Sequence, residues 1–130
     1  MRESTDFEAN ITTLEGLREI IENKQEDEWI VEERRPPLDW PSNGKIEFVN
    51  YSAKYRSELD YALKDLSFQI KPGEKIGICG RTGSGKSTIT LALFRMIEHT
   101  CGDIVIDNIN INQIGLHDLR QRITIIPQVS

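Results

Sequence analysis

Cysteine is scarce in this chain of 130 residues: Cys79 and Cys101 are too few for a disulfide framework, and Cys79 lies in an apolar run, which favours a reduced intracellular thiol. Long hydrophobic runs are missing. Nothing approaches the roughly 18 to 20 consecutive apolar residues of a membrane-spanning helix, and the stretch from Met1 to Asp6 lacks the apolar core of a signal peptide. Positive charge is in deficit: Lys and Arg total 16 against 21 Asp and Glu, a net charge of -5, which excludes a nucleic-acid binder relying on a broad basic surface. Neither His99 nor His117 has a metal-ligand pattern around it, and there is no internal repeat. What remains is a soluble chain, 38% hydrophobic, with enough apolar residues for one core and not for two.

The charge divides the chain. Residues 1 to 40 hold 12 acidic and 5 basic side chains, whereas residues 41 to 130 hold 9 and 11. In the first part Ile11, Leu14, Leu17, Ile20 and Ile21 recur at three- and four-residue steps, predicting an amphipathic helix from about Phe7 to Asn23. Acidic residues and then Pro36, Pro37 and Pro41 follow, so residues 24 to 44 read as an extended, solvated linker. From Lys45 the period changes to two: strands are expected near residues 46 to 55 and 62 to 70, and again at Asp103 to Ile106. Lys75 to Cys79 and Ile123 to Ile126 read as short apolar strands of a buried parallel sheet. Lys86 to about Glu98, apolar nearly all round, predicts a buried helix, and Leu116 to Arg120 a brief helical turn.

Gly80-Arg81-Thr82-Gly83-Ser84-Gly85-Lys86-Ser87 matches G-x-x-x-x-G-K-[ST] between an expected strand and an expected helix, the context in which this motif is specific. Glycines at 80, 83 and 85 let the backbone turn its N–H groups inward, where they and the positive end of the following helix bind phosphate oxygens. Lys86 bridges the β- and γ-phosphates as a point charge, and the Ser87 hydroxyl ligates the Mg²⁺ that accompanies a nucleoside triphosphate. Thr88 adds a hydroxyl near the α-phosphate. Thr82 and Ser84 complete the loop, while Arg81 is either a phosphate contact or a solvated side chain. Hydrolysis needs an acidic residue from outside the loop. Asp107, at the end of an apolar run, is set aside for that role because Asp107-Asn108 reads as a hairpin turn.

These residues, together with Trp40-Pro41, Gly44 to Phe48, Tyr55-Arg56, Leu59-Asp60, Leu63-Lys64, Ile114 to Arg120 and Ile123 to Gln128, resemble the nucleotide-binding domains of ATP-binding-cassette transporters. More narrowly they resemble the second such domain of subfamily C, the multidrug-resistance-associated type. The resemblance implies an α/β fold, a partial P-loop core (strands at residues 75 to 79 and 123 to 127) with an antiparallel β-subdomain. It divides the chain into residues 1 to 44, the helix and linker leaving the last membrane helix, and residues 45 to 130. It implies ATP and Mg²⁺ as cofactors and ATP-driven export of organic anions, conjugates or drugs. The transmembrane domains and the first nucleotide-binding domain become partners at the cytoplasmic face of a membrane. Tyr55 takes the place of the aromatic residue on which adenine stacks, through its ring face and without its hydroxyl, and Gln128 that of the glutamine contacting Mg²⁺ and the attacking water. Cys79, at a position usually small and apolar, is expected to be a buried hydrophobe, and Asn108 replaces a frequent glycine.

The family pattern also holds a signature sequence, a Walker B strand with its Asp and Glu, a D-loop and a switch His, none of which these 130 residues contain. The expectation is therefore a portion truncated after Gln128, as a fragment, gene-model truncation or splice form, that binds ATP at most and is catalytically inactive alone. Two other readings stay open: a non-catalytic or unstable product acting as an interaction fragment, and an unrelated P-loop kinase or GTPase, which Tyr55 and Gln128 disfavour.

Overall fold

Alternating apolar residues in two successive segments make a β-hairpin. In the computed structural model, which describes residues 26–127, strand β1 (Ile46–Lys54) pairs antiparallel with β2 (Tyr61–Ile70), placing Phe48 opposite Phe68 and Ile46 opposite Ile70. The two phenyl rings stack at 4.6 Å, and Tyr51 meets Phe48 edge-on at 5.7 Å. The register shifts three times, and at two of the shifts the extra residues, Asn50 on β1 and Asp65 on β2, stand at φ 44° and 51°. A bulge frees a main-chain N–H from the ladder, and serine hydroxyls of the facing strand take both: Asn50 N–H donates to Ser67 Oγ at 2.8 Å and Asp65 N–H to Ser52 Oγ at 2.9 Å.

Strand β3 (Glu98–Ile106) pairs with the other edge of β1, and β4 (Ile109–Asn110) follows, giving the order β2-β1-β3-β4. Asp107 and Asn108, both at positive φ (45° and 66°), form the predicted hairpin turn. β3 begins earlier than expected. It passes the Asn50 bulge at Gly102 (φ 79°), where a Cβ would run into the Asn50 carbonyl, so only glycine fits there.

Helix α1 (Lys86–Leu93) is shorter than the apolar run suggested. Arg95 takes φ 52°, its N–H donates to Ala92 O and that of Met96 to Leu91 O, which is a Schellman stop with arginine in the place usual for glycine. Phe94 and Ile97 therefore turn into the core instead of extending the helix. The predicted helical turn is α2 (Leu116–Arg120).

The parallel strands and the buried Cys79 are corrected. Residues 75–79 and 123–126 join no sheet among the described residues. A parallel strand buried on both faces exists only with hydrogen-bonded neighbours, and here Ile76, Ile78, Ile125 and Ile126 are 47 to 90% exposed. Cys79 is exposed for the same reason and is no buried hydrophobe. The linker, expected to be solvated, keeps mostly exposed side chains, yet from residue 26 it straps across the domain. It includes a 3₁₀ turn (Glu32–Arg34) and buries Trp40, whose indole N–H donates to Ile106 O at 2.9 Å. Arg35 donates twice to the buried Asp118 carboxylate, at 3.0 and 3.3 Å. The helix expected at Phe7 to Asn23 lies outside the described residues. No helix among the described residues is long and apolar enough to cross a membrane.

Candidate nucleotide site

The phosphate loop runs directly into α1. Gly83 and Gly85 stand at φ 82° and 92°, Ser84 N–H donates to Arg81 O at 3.1 Å, and a Cβ on Gly80 would collide with the Ser84 hydroxyl. The motif calls for glycine at 80 and 85, and the left-handed backbone at 83 favours one there as well. Gly85 caps α1 without a side-chain hydrogen bond, and the first turn holds no acidic residue. The opening N–H groups of a helix have no partner inside it, so this end presents donors and the positive end of the helix dipole to an anion.

Lys86 folds back over the loop and donates through Nζ to the carbonyls of Gly80 (2.5 Å) and Arg81 (2.8 Å). Its ammonium thus sits at the loop with hydrogen-bonding capacity that a phosphate oxygen can take over. Ser87 is exposed, as are Arg81 and Thr82, whereas Thr88 is 4% exposed. Thr88 has a partner from another element: its Oγ1 lies 2.8 Å from the hydroxyl of Tyr55, just past the end of β1. The structure therefore brings the sequence-selected aromatic to the first turn of α1, with half of Tyr55 open to solvent. The Tyr55 hydroxyl ties the two elements together. Gln128 lies outside the described residues.

The loop glycines, Lys86 and the open helix end fit a triphosphate. For Mg²⁺ the fit rests on Ser87: no group of three or more His, Cys, Asp and Glu that could hold a metal occurs among the described residues. Mg²⁺ is commonly held by one or two protein groups with phosphates and water, so one hydroxyl is consistent with the metal arriving on the nucleotide. Asp107 is occupied elsewhere. Its Oδ2 accepts from Asn43 N–H (2.7 Å) and Gly44 N–H (2.9 Å), and its Oδ1 from Lys45 N–H (2.8 Å). Partial desolvation works against its charge, but these main-chain donors together hold its carboxyl below the usual aspartate value. It joins the linker to the hairpin turn. Sequence reasoning missed that role and the pairing of Arg35 with Asp118. A short turn preceded by a glycine-containing loop is the only local hint of the first, and nothing local announces a contact spanning 83 positions.

The model of the ABC transporter family matches residues 63–130. Over all 130 residues the chain is 56% identical to the metal resistance protein YCF1 of Saccharomyces cerevisiae and covers 9% of it. It is 51% identical to human ATP-binding cassette sub-family C member 3 over 98% of the chain and 8% of the relative. The vacuolar heme ABC transmembrane exporter abc3 of Schizosaccharomyces pombe is 51% identical over the whole chain, which covers 9% of it. The chain thus spans less than a tenth of the length of these relatives.

Proposed function

The chain belongs to the ABC transporter family, with relatives of the subfamily C type, and from that premise we propose that residues 45 to 130 are the ATP-binding portion of an exporter's second nucleotide-binding domain. In this reading adenine stacks on Tyr55, the phosphates lie on Gly80 to Gly85 and the α1 N-terminus, Lys86 meets the β- and γ-phosphates, and Thr88 lies near the α-phosphate. Mg²⁺ is held by Ser87 and Gln128; when bound, it neutralises phosphate charge. The cargo is organic anions, conjugates or drugs, and the partners are the transmembrane domains and the first nucleotide-binding domain at the cytoplasmic face of a membrane. The observation that supports it most is the uncapped N-terminus of α1 flanked by Lys86 and, through the Thr88 hydroxyl, by Tyr55.

The test is calorimetric titration of the chain with Mg-ATP. Lys86→Ala weakens binding by about 1.5 to 3 kcal/mol through loss of charge-assisted contacts; unchanged affinity in a folded variant overturns the assignment. These 130 residues turn over no ATP by themselves in this reading, because they supply positioning but no general base. Phosphate release above the Lys86→Ala background is the contrary result. A second reading, an interaction fragment, is favoured by the exposed Ile76, Ile78, Ile125 and Ile126, which have the composition of sheet strands without the pairing. It predicts concentration-dependent association that nucleotide does not affect.

A further inference from the structure

Glu26 and Asp27 of the strap make charged contacts that the nucleotide site does not use. Glu26 accepts from both Nη groups of Arg120, at 2.6 and 3.2 Å, and Asp27 pairs with Arg95. The next two residues give their carbonyls to α2: Leu116 N–H donates to Glu28 O at 3.1 Å and His117 N–H to Trp29 O at 2.8 Å. Gly115 permits that approach, since a Cβ there would lie 2.6 Å from Trp29 O.

Both arginines also reach inward. Arg95 Nη1 donates to the carbonyls of Ile111 (3.0 Å) and Ile114 (2.7 Å), and Arg120 Nε to that of Phe94 (3.0 Å). Exposure is lopsided: the side chains of Arg95 and Arg120 are 8% and 17% exposed, those of Asp27 and Glu26 73% and 59%. The cations are built into the fold, and the carboxylates arrive on the strap. Arg95 reaches its partners from φ 52° at the stop of α1, a conformation that costs a residue with a Cβ energy and glycine almost none. A residue held in strain where glycine would serve points to work done by its side chain.

We propose that Glu26 and Asp27 are an electrostatic latch seating the incoming strap, and that Arg95 and Arg120 are positioning residues tying it to the end of α1. A displacement of the strap then bears, through Arg120, on the carbonyls of Phe94 and Arg95 just past the end of the phosphate-loop helix. The latch does not require ATP to be the ligand.

Hydrogen exchange of the Leu116 and His117 amides, measured by NMR on the full chain without nucleotide, reports the seating directly. Raising NaCl from about 0.05 to 0.5 M screens exposed pairs and accelerates these two amides roughly three- to tenfold, while the Phe48 and Phe68 amides hold. Glu26→Gln with Asp27→Asn accelerates the same amides and abolishes their salt dependence. Arg95→Gly relieves the backbone and still frees the strap. Salt-independent exchange of Leu116 and His117 in the unaltered chain overturns the latch, even if a variant fails to fold; unchanged protection in a folded Arg95→Gly protein overturns the role of Arg95.

Discussion

The seam around β1 and the flank around the phosphate loop are built from similar apolar, β-branched segments and end up differently. Ile104 and Ile106 on β3 are 0 and 3% exposed, whereas Ile76 and Ile78, in a run of equal apolarity, are 47 and 48% exposed. The distinction is pairing. β3 has β1 along one edge and β4 along part of the other, and its main-chain groups are satisfied by the ladder; the run before the loop has no strand beside it among the described residues. An apolar run is an offer of burial, and a neighbour is needed to accept it.

Truncating one isoleucine in each region separates the two most widely. Ile104→Ala lowers stability by about 2 to 5 kcal/mol through lost burial and the cavity left behind, and Ile78→Ala by less than about 0.5 kcal/mol. Urea denaturation separates them, and equal losses would mean that the flank is buried in solution. Alkali probes the seam alone. Burial pushes the Tyr51 phenol up to about 12, a shift that the nearby Arg95 charge moderates. Its folded value lies above the unfolded value near 10, so its contribution, on the order of 2 to 3 kcal/mol, is present below about pH 10 and lost as pH rises towards 12. Tyr51→Phe removes that loss of stability in an alkaline unfolding series.

Asp107→Ala leaves the N–H groups of Asn43, Gly44 and Lys45 without their acceptor and costs about 1 to 3 kcal/mol of stability. If Mg-ATP affinity fell with it, Asp107 would belong to the nucleotide site after all. The smallest effect falls on the bond joining the two regions: Tyr55→Phe loses the contact with Thr88 and costs about 0.5 to 1.5 kcal/mol. Tyr55→Ala also loses the ring and weakens ATP by about 1 to 3 kcal/mol. Equal losses of ATP affinity in the two variants would replace stacking with a hydrogen bond.

The phosphate loop was legible because its chemistry is local: the glycine positions, the lysine and the onset of a helix are consecutive, and their backbone geometry follows from residue type. The β1–β2 hairpin and the Asp107-Asn108 turn were legible for the same reason. The stop of α1 was not, because an arginine at a left-handed position gives no composition signal and depends on carbonyls at Ile111 and Ile114 that only the fold brings near. The anchors of the linker were not legible, because charge and proline suggest solvation while Trp40 and Arg35 find partners 66 and 83 positions away.

Local residue types thus determined the loop, the hairpins and the family to which they belong. Tertiary structure alone decided which apolar segments are buried, that Asp107 clasps the linker, and that the Tyr55 hydroxyl meets Thr88. Those outcomes are set by which neighbours arrive to satisfy main-chain groups and desolvate side chains, and no stretch of sequence carries its neighbour with it.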